Sequence, residues 1–327
     1  MKTNKNLRVA LWGLGRHAQK NLLPAIQLSK LFDLAGVYTR NYGNAKQAVR
    51  KYGGVAWESC LDMLKDPNVD VVYIATPTGL HFEQSQEVLN AGKPLICEKP
   101  LTDDADSSRT IIQLAKDKNL VLCEAFMYTH HPQFRKVIEL IRNPSFGKIL
   151  NFSCYFGIPT LDNPGFRDFK ELGGGAFLDV GCYTFFTAVS LLGRLPTELK
   201  VEMENQDDRV DRSGVAYLRF GNFQHGYLNW GYHRAYRAEL MVWGENQSLY
   251  ADRIFSKAED CVSSVLLRDV YGKETRIQIE PTNSFVEMFK IIHSAIHNQS
   301  DREALYEQAE RQAEIMGMAC DVAEAYR

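Results

Sequence analysis

The sequence predicts two domains: an α/β domain with a doubly wound parallel sheet over residues 1-124, then an α+β domain with a large, mainly antiparallel sheet over residues 125-327. Length is the first observation behind this, since 327 residues exceed what one hydrophobic core usually organises. The second is rhythm: the amino-terminal third alternates short β-branched runs with amphipathic helical stretches, the habit of a parallel sheet covered by helices. The third is a change of rhythm. After a helical segment around His131 to Ile141, longer strands alternate polar and apolar residues, as an antiparallel sheet with one buried face requires.

In the first domain, Leu7 to Trp12, Phe32 to Thr39, Val69 to Ala75, Pro94 to Cys97 and Leu120 to Glu124 read as strands. Between them, Leu80 to Ala91 has apolar positions at helical spacing and stops at Gly92, while Thr102 followed by Asp103 and Asp104 is expected to cap the next helix. Right-handed crossovers between such units favour a doubly wound sheet. In the second domain the strands are read at Ile149 to Phe156, Thr197 to Glu204, Gly214 to Phe220, Gly226 to His233, Ala238 to Trp243, Ser248 to Ala251, Ser264 to Arg268 and Thr275 to Ile279. Helical segments at Ala176 to Leu192 and Asn283 to Arg327 are expected to cover its buried face. No repeat or low-complexity tract suggests a solenoid or a linker.

Composition narrows the function. Hydrophobic residues make up 45% and charged residues 24%, an ordinary globular balance. The net charge of -2, from 38 basic against 40 acidic side chains, comes without a basic run that tracks a phosphate backbone, so nucleic acid is not an expected partner. The longest apolar candidate for a membrane span, Phe185 to Leu192, is interrupted by Thr187 and Ser190, and the amino-terminal apolar run reads as a strand, not a signal peptide. Seven scattered cysteines without a Cys-x-x-Cys pair read as reduced thiols, and together these features predict a cytoplasmic protein. His293 and His297 share a helical face but lack the Glu of a zinc-protease motif and a third ligand, so no metal is expected. The absence of a Gly-x-Ser-x-Gly elbow and of a phosphate-loop Gly-Lys-Ser/Thr removes the common hydrolase and NTPase readings.

The motif Gly13-Leu14-Gly15-Arg16-His17-Ala18 follows a predicted strand and opens a predicted helix, the context in which a glycine-rich hexamer binds a dinucleotide. Gly13 permits the tight turn, Gly15 lets the backbone approach a pyrophosphate, and Ala18 stands where helix and strand pack closely. The first domain is then a Rossmann domain. A plain strand-to-helix turn is the alternative. At the end of the second strand, where an NAD enzyme places Asp or Glu for the ribose hydroxyls, stand Thr39 and Arg40. A guanidinium there suits a 2′-phosphate, which favours NADP(H) over NAD(H), with Arg16 a candidate second cation. Against this, Arg40 can be read as a solvated surface residue.

The third strand is followed by Ala75-Thr76-Pro77-Thr78 with His81, and the fourth by Glu98-Lys99-Pro100, both at carboxyl ends where ligands of open α/β sheets bind. With the glycine motif and Gly173-Gly174-Gly175 followed by Asp179, these segments resemble the glucose-fructose oxidoreductase, inositol dehydrogenase and MocA superfamily over nearly the whole chain. The stretch Glu124-Ala125-Phe126-Met127-Tyr128, with His130-His131-Pro132-Gln133, is similar to the branch of dimeric dihydrodiol dehydrogenases, xylose dehydrogenases and ketoreductases of nucleotide-linked deoxysugars.

The resemblance implies an NADP(H)-dependent oxidoreductase that moves a hydride between nicotinamide and a carbinol or carbonyl carbon of a sugar-like molecule. It implies that Lys99 binds the reacting oxygen and the nicotinamide ribose, and that Pro100 is a motif proline often found cis. Where the superfamily often carries His four residues after the aspartate, this chain has Tyr183. A tyrosine with a pKa near about 10 can protonate a developing alkoxide, and a nearby lysine ammonium favours its ionised form in the reverse direction. Tyr183 is therefore the expected proton donor and Lys99 its electrostatic helper, with Asp179 four residues before Tyr183 on one helical face and the glycine run giving the loop freedom to approach the cofactor. Without the family, Tyr183 reads as a core aromatic. Arg167 faces substrate or cofactor phosphate, or forms an ordinary loop ion pair; His81 reads as structural or cofactor-adjacent. Reduction of a keto group on a nucleotide-linked sugar is the leading reading; oxidation of a free sugar of the xylose type or of a trans-dihydrodiol is the alternative. A non-catalytic NADP-binding regulator needs neither Lys99 nor Tyr183. A homo-oligomer, dimer or tetramer, is expected through the exposed face of the large sheet, with Trp230 and Tyr232 as hints of that surface.

Overall fold

The computed structural model of the chain describes residues 6–206, 210–221 and 223–325. These sort into two compact units, Met1–Met127 with Phe285–Glu310, and Tyr128–Ser284 with Arg311–Arg327.

The first unit holds six parallel strands, β1 (Leu7–Trp12), β2 (Phe32–Tyr38), β3 (Val55–Ala56), β4 (Val71–Ile74), β5 (Leu95–Cys97) and β6 (Leu122–Glu124), in the order β3-β2-β1-β4-β5-β6. The two-residue β3 is too short for its pattern to be read from sequence. Every residue of β4, and Val9 to Trp12 of β1, is buried, because a parallel sheet is covered on both faces. The order reverses between β1 and β4, which makes their carboxyl ends the switch point where such sheets bind ligands. Register levels that edge: Trp12 pairs with Tyr38 and Ile74, Ile74 with Cys97, and Cys97 with Glu124.

The helices of this unit are α1 (Leu23–Leu28), α2 (Tyr42–Tyr52), α3 (Cys60–Lys65), α4 (His81–Asn90) and α5 (Ala105–Asp117). Side-chain oxygens of Asn41, Ser59 and Asp104 cap α2, α3 and α5 by accepting backbone N–H groups. The cap of α5 is thus Asp104; Thr102, expected in that role, instead donates to the Asp104 carbonyl at 2.6 Å. The second unit carries α6 (Pro132–Arg142) and α7 (Cys182–Leu192), and α8 (Ser284–His297) and α9 (Gln299–Ala325) follow. Helix α8 departs from the expected arrangement. It belongs with the parallel sheet, where its Phe289 ring meets Phe32 at 5.2 Å and Tyr73 at 6.4 Å, so the whole of 125-327 is not one contiguous domain. Tyr326 and Arg327, the last positions of the expected terminal helix, lie outside the described residues.

The second unit is built on eight strands, β7 (Ile149–Gly157), β8 (Glu198–Gln206), β9 (Val210–Arg219), β10 (His225–Gly231), β11 (Arg237–Gly244), β12 (Gln247–Ala251), β13 (Ser263–Asp269) and β14 (Glu274–Ile279), in the order β14-β13-β12-β11-β7-β10-β9-β8. Central β7 and β10 pair in parallel, and the other neighbours antiparallel. Alternation puts Phe152, Cys154, Phe156, Leu228, Trp230, Leu240 and Val242 inside and leaves Tyr227, Met241 and Trp243 outside. Trp230 and Tyr232, read as surface hints, are therefore core residues, 0% and 6% exposed; Tyr227 and Trp243, on the opposite face of the sheet, carry the outer aromatics. Helix α7 is apolar nearly all round, as only a buried helix can be. The helical run Lys170–Leu192 has the length and composition of a membrane span, which the sequence reading did not find; 83% of its apolar window is buried within the protein, as in a core helix.

Candidate active site

At the switch point Gly13 adopts φ +104°, and a Cβ there would lie 2.7 Å from the Ala75 carbonyl oxygen. Gly13 N donates to the Tyr38 carbonyl at 2.8 Å and Ala75 N to the Trp12 carbonyl at 2.7 Å, so the turn after β1 is stitched to the ends of β2 and β4. Gly15 contrasts with it: a Cβ at Gly15 would meet no protein atom within 4 Å. Among the described residues, nothing demands glycine there. The open position leaves a pyrophosphate room to approach bare backbone at a helix start. Leu14, Gly15, Arg16 and His17 carry the loop into the helix, and buried Ala18 lets it pack closely. Thr39 and exposed Arg40 leave β2 at the same edge.

The motifs after β4 and β5 interlock. His81, 1% exposed, sets Nδ1 2.9 Å from the Pro100 carbonyl and Nε2 2.9 Å from the Thr76 carbonyl. Burial lowers its pKa against the pull of those two carbonyls, so the ring is neutral, donates its one N–H to one of them, and sits wedged between the two loops. Thr76 Oγ1 donates to Gln84 at 2.6 Å; Ala75 and Pro77 stand half-buried beside it. Glu98 accepts from Tyr73 Oη at 2.7 Å and lies 3.1 Å from His17 Nε2. Burial pushes the Glu98 carboxyl up, but His17, Tyr73 and Lys99 together bring it below its ordinary value. His17, expected at the cofactor, keeps an exposed ring at this edge with Nε2 on Glu98 and Nδ1 3.0 Å from Asn21. The Lys99–Pro100 peptide is cis.

In the second unit, Asp179 and Tyr183 sit in the turns that open α7. Asp179 is 6% exposed and engaged: Arg167 donates through Nε at 2.5 Å and Nη2 at 3.4 Å, and Tyr232 Oη donates at 3.1 Å. Arg167 therefore forms the loop ion pair, the alternative to holding a cofactor phosphate. Burial works against its charge, but Asp179 holds the guanidinium protonated. The glycine run also needs another explanation than freedom of the loop. A Cβ on Gly174 would lie 2.6 Å from the Arg167 carbonyl oxygen, and one on Gly175, at φ +111°, 2.3 Å from Asp211 Oδ1. The run is glycine because the Phe166–Arg167 segment and Asp211 are pressed against it.

Tyr183 is ringed by Tyr128, Phe156 and Phe255 at centroid distances of 5.6, 5.1 and 5.4 Å. Tyr128 Oη lies 2.8 Å from Thr187 Oγ1 and Tyr232 Oη donates to the Gly175 carbonyl at 2.9 Å; burial pushes both phenols well up, so both keep their protons. Sequence reasoning missed Tyr232, Tyr73 and Glu124 as members of these networks. Each sits on a strand or just past one, and only the fold supplies the partner. Among the described residues, no three His, Cys, Asp or Glu side chains converge as a metal-binding group.

Residues 7–126 match the family described as "Oxidoreductase family, NAD-binding Rossmann fold", and residues 134–250 match the GFO/IDH/MocA C-terminal domain. A dTDP-3,4-didehydro-2,6-dideoxy-alpha-D-glucose 3-reductase of Saccharopolyspora spinosa is 31% identical over 77% of this chain and 76% of its own. A D-xylose 1-dehydrogenase (NADP(+)) of Haloferax volcanii is 30% identical over 62% of each. Among solved structures, a 3-ketoreductase from Actinomadura kijaniata in complex with NADP and TDP-benzene superposes with a TM-score of 0.89 at 26% identity, over 97% of this chain and 98% of that one. That ketoreductase has also been solved with one lysine or one tyrosine replaced, two residues 84 positions apart in its sequence, as Lys99 and Tyr183 are here.

Proposed function

The chain belongs to the GFO/IDH/MocA oxidoreductase family, and from that premise we propose that it uses NADP(H) to reduce a keto group on a nucleotide-linked sugar. The observation that carries the cofactor is the level edge of the parallel sheet. It brings the pressed Gly13, the unobstructed Gly15 and the Thr39–Arg40 pair to one place, with a guanidinium where a carboxylate would repel a 2′-phosphate. The substrate class rests on similarity to the dTDP-sugar 3-reductase and to the ketoreductase crystallised with TDP-benzene.

The bound cofactor supplies the hydride, and the chain's part is placement and charge. Lys99 stabilises the oxygen as negative charge develops on it. Tyr183 gives that oxygen its proton, so one hydride and one proton convert the carbonyl to a carbinol. Asp179 is held by Arg167 and Tyr232 as an internal counter-charge, which makes it a support of the turn preceding Tyr183, not a group that meets substrate. Free-sugar oxidation is a second reading, favoured by the similarity to the xylose dehydrogenase.

Fluorescence titration with NADPH and NADH tests the cofactor. We expect Arg40→Ala to weaken NADPH about 10- to 100-fold, the worth of one or two charge-assisted hydrogen bonds, and to leave NADH nearly unchanged. Failure of the native protein to bind either would sink the whole reading. Turnover of 3-keto nucleotide sugars against D-xylose and trans-dihydrodiols then separates the two substrate classes, and no turnover of any supports a regulator.

A second copy of the chain is the proposed occupant of the outer face of the large sheet. Tyr227, Ser153 and Met241 form one cross-strand row there, with Trp243 next to it at 58% exposure. Sedimentation should return at least twice the mass of 37.2 kDa, and a monomer at micromolar concentration would remove this part of the proposal.

A further inference from the structure

Glu124 plays no part in the steps above, yet it is placed to act on Lys99. It ends β6, paired in register with Cys97 of β5, two residues before the lysine. Its Oε1 accepts the Leu101 amide at 2.9 Å, which ties the carboxyl to the turn that Lys99, Pro100 and Leu101 form. The Lys99 charge reaches the carboxyl and favours its ionised form. Such an interaction is reciprocal, so the charge state of Glu124 acts equally on the ammonium.

Building on the role proposed for Lys99, we infer that Glu124 is its positioning residue: it holds the turn that presents the lysine, and its charge state sets how much of the ammonium's positive charge remains for the substrate oxygen. A neutral carboxyl leaves the ammonium uncompensated. A carboxylate beside it offsets part of that charge, and the developing oxyanion loses stabilisation.

Burial pushes Glu124 up to about 8, against the opposing pull of the Leu101 amide and Lys99, so the change of state falls near neutral pH. Cys97, Cys123 and Glu98 at this corner are held away from that range. Burial holds the Cys97 thiol well up and takes Cys123 to about 12, while His17 and Tyr73 outweigh burial at Glu98 and keep it ionised. The sign for stability follows from the same shift. An unfolded chain ionises Glu124 at ordinary carboxylate pH, so the native fold loses stability as pH rises from that range to about 8, a loss that Glu124→Gln escapes.

The test uses the full chain with its lysines reductively 13C-methylated, the Lys99 resonance being identified by its loss in Lys99→Arg. Titrated between pH ~6 and ~10, native protein should show a step in the Lys99 methyl shift near pH ~8 that Glu124→Gln lacks. In kinetics of carbonyl reduction, the same variant should lose a fall in kcat of roughly three- to tenfold across that range, with the KM for NADPH little changed. Glutamine keeps the acceptor for Leu101, so a merely structural role would leave the pH profile where it was. The native step needs no variant. Its absence, or its persistence in a folded Glu124→Gln, overturns the inference. A native step that Glu124→Gln abolishes, without turnover of any carbonyl substrate, would instead count against the proposed reaction and leave the coupling of Glu124 to Lys99 standing.

Discussion

Tyr183→Phe should lower kcat for carbonyl reduction by about 100- to 10,000-fold, the usual contribution of a positioned general acid, while NADPH binds as before. The substitution removes one hydroxyl from a ring packed among Tyr128, Phe156 and Phe255, so those ring contacts survive and the thermal midpoint should move little. The neighbouring tyrosines offer no substitute. Tyr232 gives its hydroxyl to Asp179 and the Gly175 carbonyl, and Tyr128 is paired with Thr187. Full turnover of Tyr183→Phe would return Tyr183 to the role of a core aromatic.

Arg167→Leu should destabilise the second unit by about 2–3 kcal/mol in urea unfolding. Breaking a buried ion pair from one side costs about 3–5 kcal/mol, and the Arg167 side chain is 26% exposed, so solvent takes up part of that. The cost arises because Asp179, 6% exposed, would keep its charge without the guanidinium beside it. Adding Asp179→Asn should recover a part of the loss, since a neutral amide tolerates the site better than a buried carboxylate that has lost its guanidinium. If Arg167→Leu unfolds like native protein, the pair is a surface ornament. If instead it weakens NADPH binding without loss of stability, Arg167 holds cofactor as the sequence reading allowed.

Much of the fold was legible because its signals are periodic and local. All eight strands of the large sheet were placed, since one buried face imposes alternation on most of them, and β1 was bounded correctly, its apolar run Val9 to Trp12 ending at Gly13. Two-residue β3 carries too little pattern to read. The cap of α5 went to Thr102 instead of Asp104 because either side chain can accept from a helix start, and only backbone geometry chooses. Trp230 on β10 and Trp243 on β11 lie on opposite faces of the sheet; identical in type, they differ by a pleat phase that composition does not reveal.

The sequence by itself determined the order of elements, the glycine loop at a strand end, the absence of an acidic residue after β2 and the presence of Lys99 and Tyr183, because each depends on neighbours within a few positions. The tertiary structure decided what those residues face. It levelled five strand ends separated by over a hundred positions into one edge, turned His17 onto Glu98, set Arg167 against Asp179 and tied Glu124 to the turn after Lys99. It also moved α8 to the parallel sheet, where Phe289 meets Phe32 and Tyr73. The physical reason is common to all of these: a charged or apolar side chain is satisfied by whatever the fold brings within a few ångströms, and that distance is a property of packing, which has no local trace in the chain.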